Sequence, residues 1–171
     1  ERYHGARLWS MPAGPGFAFS APAEHCAATE FCTWRQRLIC GEVHDDNCSA
    51  LQGAGHAGLF GTADAVLDHA LGLLQGTGAT QKVITAMRTP MSETRTLGWE
   101  RAHAAWSGGE HCSSDTIGHT GFTGTGLWID FEAGHAWTLL TNRIHPTRHA
   151  DSGIVGLRKA VSNALTSRES V

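Results

Sequence analysis

The chain has 171 residues, about one domain's worth, and long enough to bury a core without disulfide or metal staples. Its 13 Lys+Arg against 16 Asp+Glu give a net charge of −3, which excludes the clustered basic footprint of a nucleic-acid binder. The hydrophobic share of 41% argues against disorder, and no apolar run approaches the ~20 residues of a membrane span.

Two biases remain. The 21 glycines exceed ordinary usage, and there are 11 histidines beside a single tyrosine. Full protonation of those histidines would carry the formal charge from −3 to +8, so pH affects solubility whatever the histidines do. The chain opens on Glu1 with no initiating Met or signal-like segment, and the expectation is a piece of a longer protein. The five cysteines, Cys26, Cys32, Cys40, Cys48 and Cys112, cannot all pair within one chain and contain no C-x-x-C unit. They read as reduced, mostly buried thiols, not as a zinc site, and the compartment stays open.

Residues 1–41 are interrupted by Gly5, Pro12, Gly14, Pro15, Gly16 and Pro22 and read as an irregular covering loop. Residues 42–93 form a helical part. Thr62 is a helix N-cap, Val66, Leu67, Ala70, Leu71 and Leu74 make one apolar face, and Gly76 and Gly78 stop the helix. A second helix runs from Thr80 to Arg88 with Val83, Ile84 and Met87 inward, closed by Pro90. Residues 94–171 change to period two: a short strand at Thr96 to Arg101, a Gly/Ser loop from Ser107 to Asp115, and a hairpin of Gly124–Phe131 and His135–Asn142. A last helix, capped by Asp151 or Ser152, turns Ile154, Leu157, Val161, Ala164 and Leu165 inward. The order predicts an α+β fold, an antiparallel sheet flanked by helices.

Three glycine-rich polar clusters could carry chemistry. Gly41-Glu42-Val43-His44-Asp45-Asp46-Asn47 sets His beside Asp, but sequence neighbours diverge on extended backbone, so a self-bonded loop is favoured. The glycines between Gly53 and Thr62, around His56, lack the lysine of a phosphate loop and read as close packing. The glycines of the segment from Ile117 to Gly126 imply close approach by another group, and main-chain donors at a strand rim suit a developing oxyanion.

Taken together, Gly41–Asn47, Gly55–Ala63, Gly118–Thr125, Leu127–Asp130 and Leu140–Pro146 resemble the class C β-lactamase-related serine hydrolases, which include penicillin-binding proteins, D-alanyl-D-alanine carboxypeptidases and esterases. The resemblance runs in order from about Ala27 to the last helix. It implies the C-terminal part of a β-lactamase/penicillin-binding-protein-like fold, with the N-terminal part missing. His119-Thr120-Gly121 fits the branch carrying His in the Lys-Thr-Gly motif. By that resemblance His119 is the electrostatic and proton-relay partner and Thr120 donates to a substrate carboxylate or carbonyl. Gly121 lets substrate lie against the strand, with Phe122, whose N–H is the second oxyanion donor, and Thr123 beside it.

The family's S-x-x-K nucleophile is absent, because no serine is followed three residues later by Lys, and the lone Tyr3 begins Tyr3-His4-Gly5 instead of Tyr-x-Asn. Ser114-Asp115-Thr116 imitates Ser-Asp-Asn but abuts the third motif and reads as loop. The resemblance therefore implies a serine hydrolase acting by acyl transfer on a small-molecule or peptidoglycan-like substrate, inactive as this chain alone. The alternative is a degenerate ligand-binding or interaction module. No cofactor, metal, nucleic acid or membrane span is expected. The missing N-terminal part or a second chain at an exposed sheet edge is the expected macromolecular partner.

Overall fold

The computed structural model describes residues 17–18, 20–52 and 54–167. Their contacts divide into two units, the described residues up to 65 with 142–150 and residues 66–141 with those from 151 to 167.

The second unit is built on a four-stranded antiparallel sheet in the order β5 (Glu100–Arg101), β6 (Thr116–Thr120), β7 (Thr125–Asp130) and β8 (His135–Leu140). Alternation along the strands gives each face its own core. On one face Ile117 and Ile129 meet Ala70 and Leu73 of helix α2 (Ala63–Leu74) and Ile84 and Met87 of helix α3 (Gln81–Arg88). On the other, Trp106, Trp128 and Trp137 cluster, with the last two rings stacked at 6.0 Å between centroids and 13° between planes. Helix α4 (Ile154–Thr166) lies on this second face, where Ser162 Oγ accepts the Trp137 indole N–H at 2.8 Å.

Thr62 caps α2, its Oγ1 accepting the Ala65 N–H at 3.2 Å, and Thr80 does the same for Val83 at the start of α3. The inward stripe of α2 is displaced from the expected one. Leu73 is buried and Leu71 is 44% exposed, because each residue turns about 100° and Leu71 leaves the line through Ala70, Leu73 and Leu74. Val83 likewise faces outward from α3. The strand expected at Thr96 to Arg101 is confined to Glu100–Arg101, with one further bridge from Arg95 to Glu100.

The last helix carries the largest correction. Gly153, not Asp151 or Ser152, is its N-cap, with Asp151 Oδ1 accepting the Gly153 N–H at 3.0 Å. Its buried residues are Arg158, Ser162 and Thr166, spaced by four, whereas Leu157 and Leu165 are exposed. This helix buries polar side chains in place of the apolar stripe, Arg158 and Ser162 bonding to the sheet and its turn and Thr166 Oγ1 donating back to the Ser162 carbonyl. Ser162→Ala is expected to strand the Trp137 N–H without an acceptor and cost about 1–3 kcal/mol in urea denaturation, while Leu165→Ala, at an exposed site, changes the midpoint little.

In the first unit, β1 (Phe17–Ala18) pairs with β4 (Phe60–Gly61), and β2 (Phe31–Cys32) with β3 (Arg37–Leu38), both antiparallel. Helix α1 (Asp46–Ala50) is capped by Asp45, whose Oδ1 accepts the Cys48 N–H at 2.7 Å. Ile39, Cys48 and Ile144 are buried here, and a polar network ties the segments together. Arg35 donates to the carbonyls of Val43 at 2.7 Å and His44 at 2.9 Å and to Asp46 at 2.8 Å. The nearly buried Glu30 accepts from the main chain and guanidinium of Arg148, 118 residues away. Of the five free cysteines only Cys48 is buried, the other four being half-buried.

Candidate functional site

His119, Thr120 and Gly121 stand at the end of β6 where its pairing on one side runs out. The register with β5 stops at the Glu100–Gly118 pair, whereas pairing with β7 continues through His119–Leu127 and Thr120–Gly126. Among the described residues, the β5 side of this stretch is therefore an open strand edge, able to accept an extended chain by main-chain hydrogen bonding. His119 is exposed. Its Nδ1 donates to the Thr120 carbonyl at 3.0 Å, which fixes the proton on Nδ1 and leaves Nε2 as the acceptor of the neutral ring.

Beyond Gly121 the chain turns tightly into β7. The Gly121 N–H donates to the Thr125 carbonyl at 2.9 Å and the Gly124 N–H to the Gly121 carbonyl at 3.1 Å, with Gly124 at φ +116° supplying a conformation that L side chains rarely adopt. The buried Arg158 of α4 grips the same turn, its Nη2 donating to the carbonyls of Gly121 at 3.1 Å and Thr125 at 2.7 Å. Because the peptide unit is planar and trans, two donors on the Gly121 carbonyl also set the direction of the Phe122 N–H, opposite to it. Phe122 is 53% exposed at the turn and Thr123 half-buried. The site thus brings His119 to Thr123 together on one strand end and its turn. Sequence reasoning passed over Arg158; its spacing of four from Ser162 and Thr166, a polar stripe at helical period, is the signal that could have found it.

The glycines of this block have an internal explanation. A Cβ at Gly118 would lie 2.3 Å from Trp128 Cδ1, and one at Gly126 would lie 2.4 Å from the far edge of the same indole. At Gly121 it would meet Thr125 Oγ1 at 2.1 Å. The close approach expected from the glycine density is made by Trp128 and Thr125, which belong to the sheet itself.

The other motif residues fall elsewhere. His44 and Asp45 diverge: Asp45 caps α1 and takes His56 Nε2 at 2.9 Å, while His44 Nδ1 donates to Thr29 Oγ1 at 2.9 Å. Close packing is absent at Gly55, which has nothing within 4 Å of a built Cβ, and Gly58 is explained by φ +100°. Asp130, at the far end of β7, is 1% exposed. Burial works to raise its pKa, but hydrogen bonds from Ala133 and Ser113 outweigh that and hold it below the ordinary range. Asp115 accepts from Arg88, whose guanidinium lies 4.7 Å from the Phe131 ring centroid, so Ser114-Asp115 is a turn tied to α3. Tyr3 and Ser10 lie outside the described residues.

A cleft of about 480 Å³ is lined by His111, Cys112, Asp130, Glu132, His135 and Thr166, among others. It sits at the Thr116–Asp130–His135 end of the sheet, four residues and ~13 Å along β6 from Thr120. No helix among the described residues is long and apolar enough to cross a membrane.

Comparison with known proteins gives a consistent picture. The sequence model described as Beta-lactamase matches residues 2–161. An N-acetylmuramyl-L-alanine amidase of Bacillus subtilis (strain 168) is 35% identical over 132 residues, 68% of this chain and 29% of the amidase. Among solved structures, a β-lactamase from Mycobacterium bovis superposes with a TM-score of 0.56 at 20% identity, over 67% of this chain and 47% of that one. Simvastatin synthase from Aspergillus terreus gives 0.60 at 15% identity, over 91% and 47%. The chain spans about three tenths of the amidase and about half of each structure.

Proposed function

Because the chain belongs to the Beta-lactamase family, we propose that it supplies the substrate-edge strand of an acyl-transferring serine hydrolase whose acyl donor is a peptidoglycan-type amide or a lactam. The observation that carries this reading is the open edge of β6 at an exposed His119 and a half-buried Thr120 and Gly121. An acyl chain laid along that edge meets main-chain groups of β6, with the Thr120 hydroxyl beside it as a donor to its carboxylate or carbonyl. The His119 ring, its Nδ1 held by the Thr120 carbonyl, presents Nε2 as the nitrogen of the proton relay. The Phe122 N–H, aimed by the grip of Gly124 and Arg158 on the Gly121 carbonyl, is one donor to the oxyanion of a tetrahedral intermediate. The muramyl amidase relative favours an amide among the acyl donors open to this fold.

The chain alone is proposed to lack turnover, since it contains no S-x-x-K and no Tyr-x-Asn. Incubation with a fluorophosphonate or a penicillin, read by intact mass, is expected to give no covalent adduct; a stoichiometric adduct on any serine refutes the inactivity. Saturable binding of a muramyl peptide, weakened by His119→Ala, is the expected companion result. Indifference of that binding to His119→Ala would remove the strand edge as the binding site.

A further inference from the structure

The Cys40 thiol is held against the main chain of Cys26. Cys40 Sγ donates to the carbonyl of Cys26 at 3.4 Å and to that of Ala23 at 3.3 Å. The two segments are already joined, since the Ala21 N–H donates to the Gly41 carbonyl at 3.2 Å, and the Cys26 N–H closes its own turn on the Ala23 carbonyl at 3.1 Å. Gly41 packs closely on this segment: a Cβ there would stand 2.3 Å from the Ala21 carbonyl oxygen, and its φ is +72°. Both cysteines are half-buried, so a small oxidant reaches them. The remaining thiols are engaged elsewhere, Cys32 toward Asp46 at 3.8 Å, Cys48 toward the Ala57 carbonyl at 3.4 Å and Cys112 toward the Gly109 carbonyl at 3.8 Å.

We infer that Cys26 and Cys40 form a redox-active dithiol, a modification site that closes to a disulfide on exchange with a low-molecular-weight disulfide. One cysteine thiolate attacks a sulfur of the small disulfide, breaking its S–S bond and releasing one small thiol. The other thiolate then attacks the sulfur of that mixed disulfide and expels the second small thiol. Two protein thiols are oxidised, one small disulfide is reduced to two thiols, and the two protons pass to those leaving groups. In the reduced protein, burial first, then the charges of Cys40 and Glu24, push the Cys26 thiol up. Cys26 therefore suits the second, resolving step. The bond would clip residues 21–26 to the start of the Gly41–Asn47 segment, one residue ahead of the Arg35–Glu42–His44 network.

The test is equilibration of the 171-residue chain with oxidised glutathione, alkylation of remaining thiols, and digestion after Glu and after Arg and Lys. This isolates each cysteine: Cys26 in 25–30, Cys32 in 31–35, Cys40 in 38–42, Cys48 in 43–82 and Cys112 in 111–132. The expected result is a 25–30 to 38–42 cross-linked peptide, two hydrogens lighter than the sum, with joint loss of alkylation at Cys26 and Cys40. Cys26→Ser is expected to trap glutathione on Cys40. Persistent glutathione adducts on the unaltered chain, or a cross-link from Cys26 to Cys32 or Cys48, would overturn the assignment without reliance on any variant.

Discussion

Trp128→Ala is expected to be among the most destabilising single changes, costing about 3–5 kcal/mol, the range for emptying a large buried aromatic. Trp128 is 1% exposed, stacks on Trp137 and covers Gly118 and Gly126. The reverse perturbation, Gly118→Ala, drives a Cβ to 2.3 Å from the indole and is expected to cost about 1–3 kcal/mol, as overpacking does. The two effects share one cause, so they are not additive. With Trp128 removed, Gly118→Ala should cost little. A double-mutant cycle by urea denaturation, followed by far-UV circular dichroism, measures that coupling. An equal cost of Gly118→Ala in both backgrounds would show that the glycine is required for its backbone and not for the ring.

This coupling explains why the sequence disclosed the motif but misassigned its glycines. The amphipathic periods of α2 and α3 and the Glu132-Ala133-Gly134 turn are local signals, readable within a few residues. The reason for Gly118 is cross-strand: only the register setting it opposite Trp128 brings the indole over it. For α4 the same limit applied differently. Apolar character stood in for burial, yet the buried side chains are Arg158, Ser162 and Thr166, the first two chosen by carbonyls at Gly121 and Thr125 and by the Trp137 indole. The strand edge at His119 was legible through family resemblance, while Arg158 as the residue fixing its turn depended on contacts more than thirty residues away. The polar network around Glu30 spans more than a hundred residues between its partners, so no window along the chain could contain it.

That network sets the second large expectation, in the first unit. Arg148 donates to Glu30 and, through Nη2, to His44 Nε2 at 3.1 Å; His44 Nδ1 donates to Thr29 Oγ1, and Thr29 Oγ1 to the Ile39 carbonyl at 3.2 Å. The chain of donors works only with His44 neutral. Burial first, then the Arg148 charge, holds its pKa below 6.5, with Glu30 and Asp46 opposing and Arg35 adding to the depression. For Glu30, burial alone would raise the pKa, but the bonds from Arg148 prevail and lower it from 4.5. Both shifts have the same sign in stability: the unfolded chain binds more protons, so stability falls as pH drops. The loss begins below 6.5, as His44 titrates in the unfolded chain, and deepens below 4.5, as Glu30 does. Arg148→Met removes the partner of a nearly buried carboxylate; because the Arg148 side chain is itself 39% exposed, the expected cost is about 2–3 kcal/mol, below the 3–5 of a fully buried pair. The same variant leaves His44 facing Glu30 at 3.6 Å without the opposing guanidinium, so its protonation is opposed less and the decline of stability between 6.5 and 4.5 should flatten. Urea denaturation of both proteins across that pH range reads the effect, and parallel profiles would show that Arg148 does not govern the ionisation of His44.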